Sequence, residues 1–412
     1  MRKLFLYIVS LFILTGCSDE IPEHERPVQS KRAILAYLIA NNNLDTDIMN
    51  NVVWMYESLA QSQDSCSLAI YYKPSSNNSY NNGYLKETQI LTFFTDGHGQ
   101  INGQPALEGS DITTGNVVEQ ALKYTAVPGT STDPDVMQAN LQAMADIIPA
   151  ESYGLIFGSH ATSWMPAEEN PFISTKSFGQ DGSEYNSINI PEFADVLEAS
   201  FPGNLDFVLF DACMMQTAEV CYELRNATHY CIASVMETPG VGFPYHRILS
   251  ELYQDEIDFN QICTDVISFN KEMGLWGTYA AVDCTQMDAF ANTVKEQIDQ
   301  HASALENLSL HSIQQYGVNG STDFRYFSFD VADFIKQLNE GELPVLFQQT
   351  LDQTVLAKSC ITNSHSYPYG SILTDESKYC GIGMYIPDAV PDTRWNDYYR
   401  SAISWYQAVW SE

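Results

Sequence analysis

Basic residues are scarce in this chain of 412 residues, where 19 Lys and Arg stand against 52 Asp and Glu for a formal net charge of −33. A surface that acidic repels phosphate backbones, which excludes nucleic acid as a partner, while cationic peptides and divalent cations are attracted. Long apolar runs are scarce too: after residue 14 no stretch is long and apolar enough to span a bilayer. There is no Walker loop, no HExxH, no GxSxG and no paired CxxC, which removes the usual nucleotide-binding, zinc-hydrolase, serine-hydrolase and thioredoxin-type readings. Gly240-Val241-Gly242 lacks the third glycine of a dinucleotide fingerprint, and the scattered acidic residues never take EF-hand spacing. No internal repeat is visible. What remains is abundantly apolar, 45% hydrophobic and 12% aromatic, enough for a sizeable core.

The N-terminus reads as an address. Arg2 and Lys3 precede the apolar run Leu4 to Leu14, which ends in Leu14-Thr15-Gly16-Cys17 and resembles a bacterial lipoprotein box. The expectation is cleavage before Cys17 and lipidation of its thiol, so that residues 1–17 are a signal and 18–32 a polar, Pro-bearing tether. Ser18-Asp19-Glu20 looks like the export tag of some Gram-negative surface lipoproteins. Together these imply an exported protein, lipid-anchored to the outer membrane and exposed at the cell surface, with no other membrane contact. Eight further cysteines remain. In an exported chain they could form four disulfides, but a chain this long needs no staples and most of them sit in apolar stretches, so free buried thiols are expected for the majority.

Short apolar runs alternate with amphipathic ones. Ala33–Ala40, Ser67–Tyr72, Ile90–Phe94, Tyr153–Gly158, Phe207–Phe210, Tyr230–Ser234 and Thr278–Val282 read as buried strands. Leu44–Leu59, Asp135–Ile148, Ile190–Ala199 and Met214–Leu224 carry apolar residues at helical spacing. Continuous apolar strands alternating with helices predict an α/β fold around a mostly parallel sheet covered on both faces. The Asn/Ser/Tyr/Gly-rich stretch Lys73–Tyr84 is expected to be a hairpin loop at the sheet edge. From about residue 258 helices dominate, at Phe259–Met273, Gln286–Leu308, Asp330–Leu338, Val345–Leu356 and Asp397–Val409, with a strand-like piece at Gly381–Ile386. The reading is a core over 33–257 and a helical C-terminal lobe over 258–412 that lends strands to the sheet.

Two positions differ from this background. The strand YGLIFGS runs into His160, and the strand FVLF runs into Asp211-Ala212-Cys213, with Met214-Met215-Gln216 taken to open a helix. Both side chains then sit past the carboxyl ends of strands, where open α/β sheets place their sites. A thiol at a helix N-terminus is favoured as thiolate, and a nearby imidazole can move the proton that thiolate formation and amine release require. His160 precedes Cys213 by 53 residues, an order and spacing compatible with caspase-type cysteine peptidases.

The surrounding residues carry a closer resemblance. The run from Phe210 to Leu249, with Asp211, Cys213, Ser234, Glu237, Pro239, Gly240, Gly242, Phe243, Pro244 and Tyr245 at its marked positions, resembles the clostripain-like (C11) cysteine peptidases of clan CD. GLIFGSHATSW looks like the family's His segment, AYLIANNNLDTD like its first strand and turn, and GIGMYIP like its closing strand, so the likeness covers about Ala33 to Pro387. It implies a caspase-like three-layer α/β/α sandwich and an endopeptidase in which Cys213 is the nucleophile and His160 its acid–base partner. The amides of Cys213 and Ala161 would form the oxyanion hole, and Asp211, Ser234 and Val241 would contact substrate.

The departures are informative. Ala161 stands where the family usually has Gly, and Thr238 is inserted between Glu237 and Pro239. Val241 replaces the acidic residue common in members that cleave after Arg or Lys. Asp211 is then left either as the carboxylate of the P1 pocket, with a basic P1 as default, or as a strand-end cap for the next helix. Lys176, the only Lys or Arg between His160 and Cys213, is the expected site of activating cleavage. No cofactor is required by this chemistry; part of the family uses calcium, but no ligand set is readable. The partners implied are peptide or protein substrates, with a monomer favoured. The rival reading is an inactive protein-binding surface lipoprotein on the same fold, for which Ala161 and Val241 are the inviting features.

Overall fold

The computed structural model describes residues 30–166, 178–182, 186–316, 328–362, 364–366, 370–372, 374–389 and 393–411, which leaves Cys17, most of the tether and Lys176 outside the described residues. Ten strands come first: β1 (Ser30–Ile39), β2 (Cys66–Lys73), β3 (Gln89–Thr95), β4 (Gln100–Ile101), β5 (Gln104–Pro105), β6 (Leu122–Thr125), β7 (Ala150–Gly158), β8 (Leu205–Asp211), β9 (Tyr230–Ala233) and β10 (Thr278–Asp283). Short strands β11 (Gln315–Tyr316) and β12 (Ser328–Asp330) follow, then β13 (Val355–Cys360), β14 (Ser364–Ser366), β15 (Gly370–Ile372) and β16 (Gly383–Met384).

An 11-stranded sheet runs in the order β13-β10-β9-β8-β7-β1-β2-β3-β4-β5, with β6 also paired to β3. Its five central strands, β9 to β2 in that order, are parallel, and the strands on both flanks are antiparallel. The register explains why those strands read as unbroken apolar runs. Along β1, Ala33, Leu35, Tyr37 and Ile39 enter one core while Ile34, Ala36 and Leu38 enter the other, so both faces are buried.

Each face is covered by helices. One carries α1 (Asp45–Gln61), α2 (Thr114–Gln120) and, later in the chain, Tyr245–Leu252 and Phe259–Glu272. The opposite face carries α3 (Pro134–Ile147), α4 (Ile190–Ser200) and α5 (Ala218–Glu223), joined by Met287–Gln300, Val331–Leu338 and Ser404–Val409. This is a caspase-like α/β/α sandwich. Elements beyond residue 258 complete the same sheet and both cores: β10 and β13 lengthen the sheet, and Phe259–Glu272 packs on β10 and β13.

Several local expectations are corrected. The helix expected over Met214–Leu224 is confined to Ala218–Glu223, because Met214 takes a left-handed φ of 63° that a right-handed helix cannot continue. Thr217 is its true N-cap, accepting from the Val220 amide. The helix expected to reach Leu356 ends at Thr354, and Val355–Cys360 is the edge strand β13, whose half-exposed, polar-interrupted pattern hid it. Within Gly381–Ile386 only Gly383–Met384 is strand, and it joins β11 and β12 in a separate three-stranded sheet. Helices are also interrupted at His301 and Ile403. All eight described cysteines are free and buried. No helix among the described residues is long and apolar enough to cross a membrane.

Candidate active site

The carboxyl ends of β1, β7 and β8 lie side by side, since Leu38 pairs with Gly158 and Gly158 with Asp211. The turns that follow them converge on a cavity of about 350 Å³ lined by His160, Cys213, Asp211 and Glu237, with Asn43, Leu44, Pro239 and Trp276 among its other walls. His160 and Cys213 are thus brought together as the sequence implied, each nearly buried at 6% and 7% exposure. Among the described residues, no Lys or Arg lines this cavity.

The His160 turn is built by side chains. Asn42 is buried and donates to the carbonyls of Ile39 (3.0 Å) and Gln180 (3.2 Å), while its Oδ1 accepts from the Leu44 amide (2.9 Å). Ser159 Oγ donates to the Ile39 carbonyl at 3.1 Å. Asn41 donates to Asp181 at 2.7 Å, and Asp181 in turn accepts from the Ser131 amide at 2.7 Å. The Gly179 amide closes the turn on the His160 carbonyl at 2.9 Å. Asn43 Oδ1 then lies 2.8 Å from His160 Nε2. Three consecutive asparagines after β1 therefore have three separate jobs, and the sequence reading gave none of them a role.

The Cys213 turn is built by backbone instead. Met214 N–H donates to the Met236 carbonyl and Gln216 N–H to the Ser234 carbonyl, both at 3.0 Å, while the Gln216 carbonyl accepts from Gly383 at 3.1 Å. These bonds use the amides that a helix starting at Met214 would have left at its end, so the helix-dipole argument for the thiolate does not hold here. The Cys213 thiol faces the Thr238 carbonyl at 3.9 Å, and Thr238 Oγ1 donates to the Ala212 carbonyl at 3.1 Å. The inserted threonine is therefore a support for the Cys213 turn. Ser163 and Met214, both non-glycine residues at positive φ (56° and 63°), flank the pair, and Ser163 Oγ meets Thr217 Oγ1 at 2.8 Å to tie the two turns together. Such strained backbone costs about 1 kcal/mol per residue and gathers at functional sites.

Asp211 lines the cavity but caps no helix. Its Oδ2 accepts from the Phe243 amide (3.2 Å) and Tyr245 Oη (2.9 Å), and desolvation raises its pKa to about 6 against the lowering effect of those bonds. Gly242, at φ +74°, lets the loop pass, because a Cβ there would come within 2.5 Å of Asp211 Oδ2. Three of the expected site residues are not among those lining the cavity. Ser234 is fully buried and bonded to Thr278 Oγ1 and the Met236 amide, so it does not reach the cavity. Val241 is not among the lining residues; its carbonyl accepts from Asn51 at 2.8 Å. Ala161 is fully buried in the core on one face of the sheet and is not among the residues lining the cavity. Glu237, quoted only as part of a motif, is a second cavity carboxylate, and Trp276 is fixed beside it through an Nε1 bond to the Glu237 carbonyl at 2.9 Å. Trp276 precedes β10 far from the motif and carried no sequence signal. No group of three or more His, Cys, Asp or Glu among the described residues is placed to hold a metal ion.

An α/β/α sheet with a cysteine and a histidine on one cavity, past the ends of adjacent parallel strands, has the makings of a caspase-like cysteine peptidase. The comparisons agree: the chain belongs to the clostripain family, whose profile matches residues 36–412, and it is a cysteine peptidase. It is 22% identical over 440 residues to clostripain of Hathewaya histolytica, covering 92% of this chain and 80% of that protein. A secreted C11 cysteine protease from Bacteroides thetaiotaomicron, solved with an irreversible peptide inhibitor, superposes with a TM-score of 0.69 at 22% identity, covering 92% of this chain and 99% of the other. An inactive zymogen C11 protease from Parabacteroides distasonis superposes with a TM-score of 0.70 at 22% identity, covering 93% and 99%. Residues 1–18 match a prokaryotic membrane lipoprotein lipid attachment site, in keeping with an exported, lipid-anchored protein.

Proposed function

We propose that the protein is an endopeptidase in which Cys213 and His160 form the catalytic pair, and the observation that carries this reading is their presence on the walls of one cavity. Cys213 Sγ attacks the scissile carbonyl carbon; the C–N bond breaks as the imidazolium gives its proton to the leaving amine. Water, deprotonated by the imidazole, then cleaves the thioester. The Cys213 amide is the oxyanion donor that this chain offers at the nucleophile itself. The thiol and imidazole between them supply nucleophile and proton, so no cofactor enters; a chelator arm in the assay tests for calcium.

Substrate choice follows from the cavity's charge. Asp211 and Glu237 are among its lining residues, and no Lys or Arg is among the described ones, which favours a cationic P1 side chain even though Val241 stands back from the wall. Cleavage after Lys176 is the proposed activating event, in line with the zymogen form known for the Parabacteroides relative. The outer leaflet of the outer membrane is the proposed location.

The test is hydrolysis of a mixed-sequence peptide library by the purified mature chain, with C213A and Lys176→Ala alongside. Wild-type cleavage after Arg or Lys, lost by at least about 10³-fold in C213A, is expected. Cleavage unaffected by C213A overturns the assignment of the nucleophile. No cleavage before or after nicking at residue 176 favours a protein-binding role.

A further inference from the structure

We infer that Asn43 is a positioning residue for catalysis, fixing the tautomer and ring orientation of His160 so that Nδ1 is the atom that exchanges protons with Cys213 and the leaving amine. The inference rests on the peptidase reading above, and it starts from the 2.8 Å contact between Asn43 Oδ1 and His160 Nε2. Which nitrogen of a neutral imidazole carries the proton is set by the partner of the other nitrogen. An amide oxygen accepts, so it selects the Nε2–H form and leaves the Nδ1 lone pair for chemistry. When His160 becomes the imidazolium, the same oxygen still accepts from Nε2–H while Nδ1–H is the proton to be given away. The bond therefore persists through both halves of the reaction and keeps the ring from turning.

The position of Asn43 is not left to a flexible loop. Asn42, immediately before it, is buried, bonded to Ile39 and Gln180, and caps the approach to α1 through the Leu44 amide. Asn42 Nδ2 also reaches Ser159 Oγ, the residue before His160, at 3.5 Å. Asn41 is tied to Asp181, and its carbonyl accepts from Gly182 at 2.9 Å. The donor's ring and the acceptor's amide are thus carried on two turns clamped to each other by their own neighbours, which is the arrangement that holds a reacting group in register. Asn43 itself is exposed, so its removal leaves no hole in the core.

The experiment uses the mature chain with Asn43→Ala and Asn43→Asp. N43A is expected to lower kcat tenfold or more with KM changed less than twofold and an unchanged melting temperature. N43D keeps an acceptor and adds a charge, so it should recover most of kcat and move the His160-dependent limb of the pH–kcat profile to higher pH. A second readout does not need turnover. In the C213A protein, ¹⁵N chemical shifts of the His160 ring, identified with His160→Ala, should report a single Nε2–H tautomer that becomes mixed on adding N43A. Wild-type kcat in N43A, or equal losses in both variants with an unmoved pH profile, overturns the inference, as does an unchanged tautomer. Failure of the peptidase reading itself shows differently: wild type is then inactive while the ¹⁵N spectrum still responds to N43A.

Discussion

The two turns that meet at the cavity are held in opposite ways. The one bearing His160 is fixed by the side chains of Asn41, Asn42, Asn43, Ser159 and Asp181, whereas the one bearing Cys213 hangs mainly on backbone bonds to residues 234–236 and to Gly383, with Thr238 and Ser163 as its side-chain ties. The difference teaches where sequence change can reach the site. A side-chain scaffold fails when one amide is replaced. A backbone scaffold tolerates most replacements along its length and depends instead on the segments it pairs with.

Replacing Asn42 is the sharpest way to break this contrast. N42A strips the Gln180 carbonyl and the Leu44 amide of their side-chain partner and leaves the Ile39 carbonyl to Ser159 alone, and should cost about 2–3 kcal/mol in urea unfolding together with most of the activity. The support behind the Cys213 turn gives a pH-dependent effect of intermediate size. Glu219, fully buried on α5, accepts from the Tyr385 amide and Tyr399 Oη, both at 2.8 Å, and its Oε2 finds no partner among the described residues. Desolvation raises its pKa to about 7 from 4.5. The fold thus prefers the protonated acid: the stability this group allows is full below about pH 4.5 and is lost as pH rises toward 7. Glu219→Gln should remove that loss, so wild type weakens relative to E219Q by on the order of 2 kcal/mol between pH 5 and pH 8, measured by urea midpoints. The smallest effect is expected from Gln216→Met. The backbone of Gln216 carries the turn, while its Oε1 is without a partner among the described residues and its Nε2 meets only Cys221 Sγ at 3.3 Å, so stability should stay within about 1 kcal/mol. A loss as large as that of N42A would erase the distinction between the two turns.

The same distinction marks what could be read from the chain alone. The central strands and the place of His160 and Cys213 at the strand ends were legible because they rest on apolar runs and on short range: a residue after a strand goes to that strand's end. The left-handed Met214 was not, since methionine is an ordinary helix former and its amide is held by a tertiary partner, the Met236 carbonyl. Ser234 and Val241 were assigned by motif position, and the motif does not say which way a loop turns its side chains. Trp276 and Asn43 reach the cavity through tertiary placement, from β10 and β1, and no local pattern marks either. The edge strand β13 failed for a related reason: its partner, β10, lies some 75 residues earlier in the chain, and its own residues alternate too weakly to announce a sheet.

The position of β1 has a consequence for how the molecule meets its surroundings. It is the chain's first strand yet runs through the middle of the sheet, entering at Ser30 and reaching the asparagine turn ten residues later, roughly 30 Å away. The strand begins at one pole of the sheet and the cavity opens at the other. A label placed at Ser30 therefore reports on the end of the sheet farthest from the cavity.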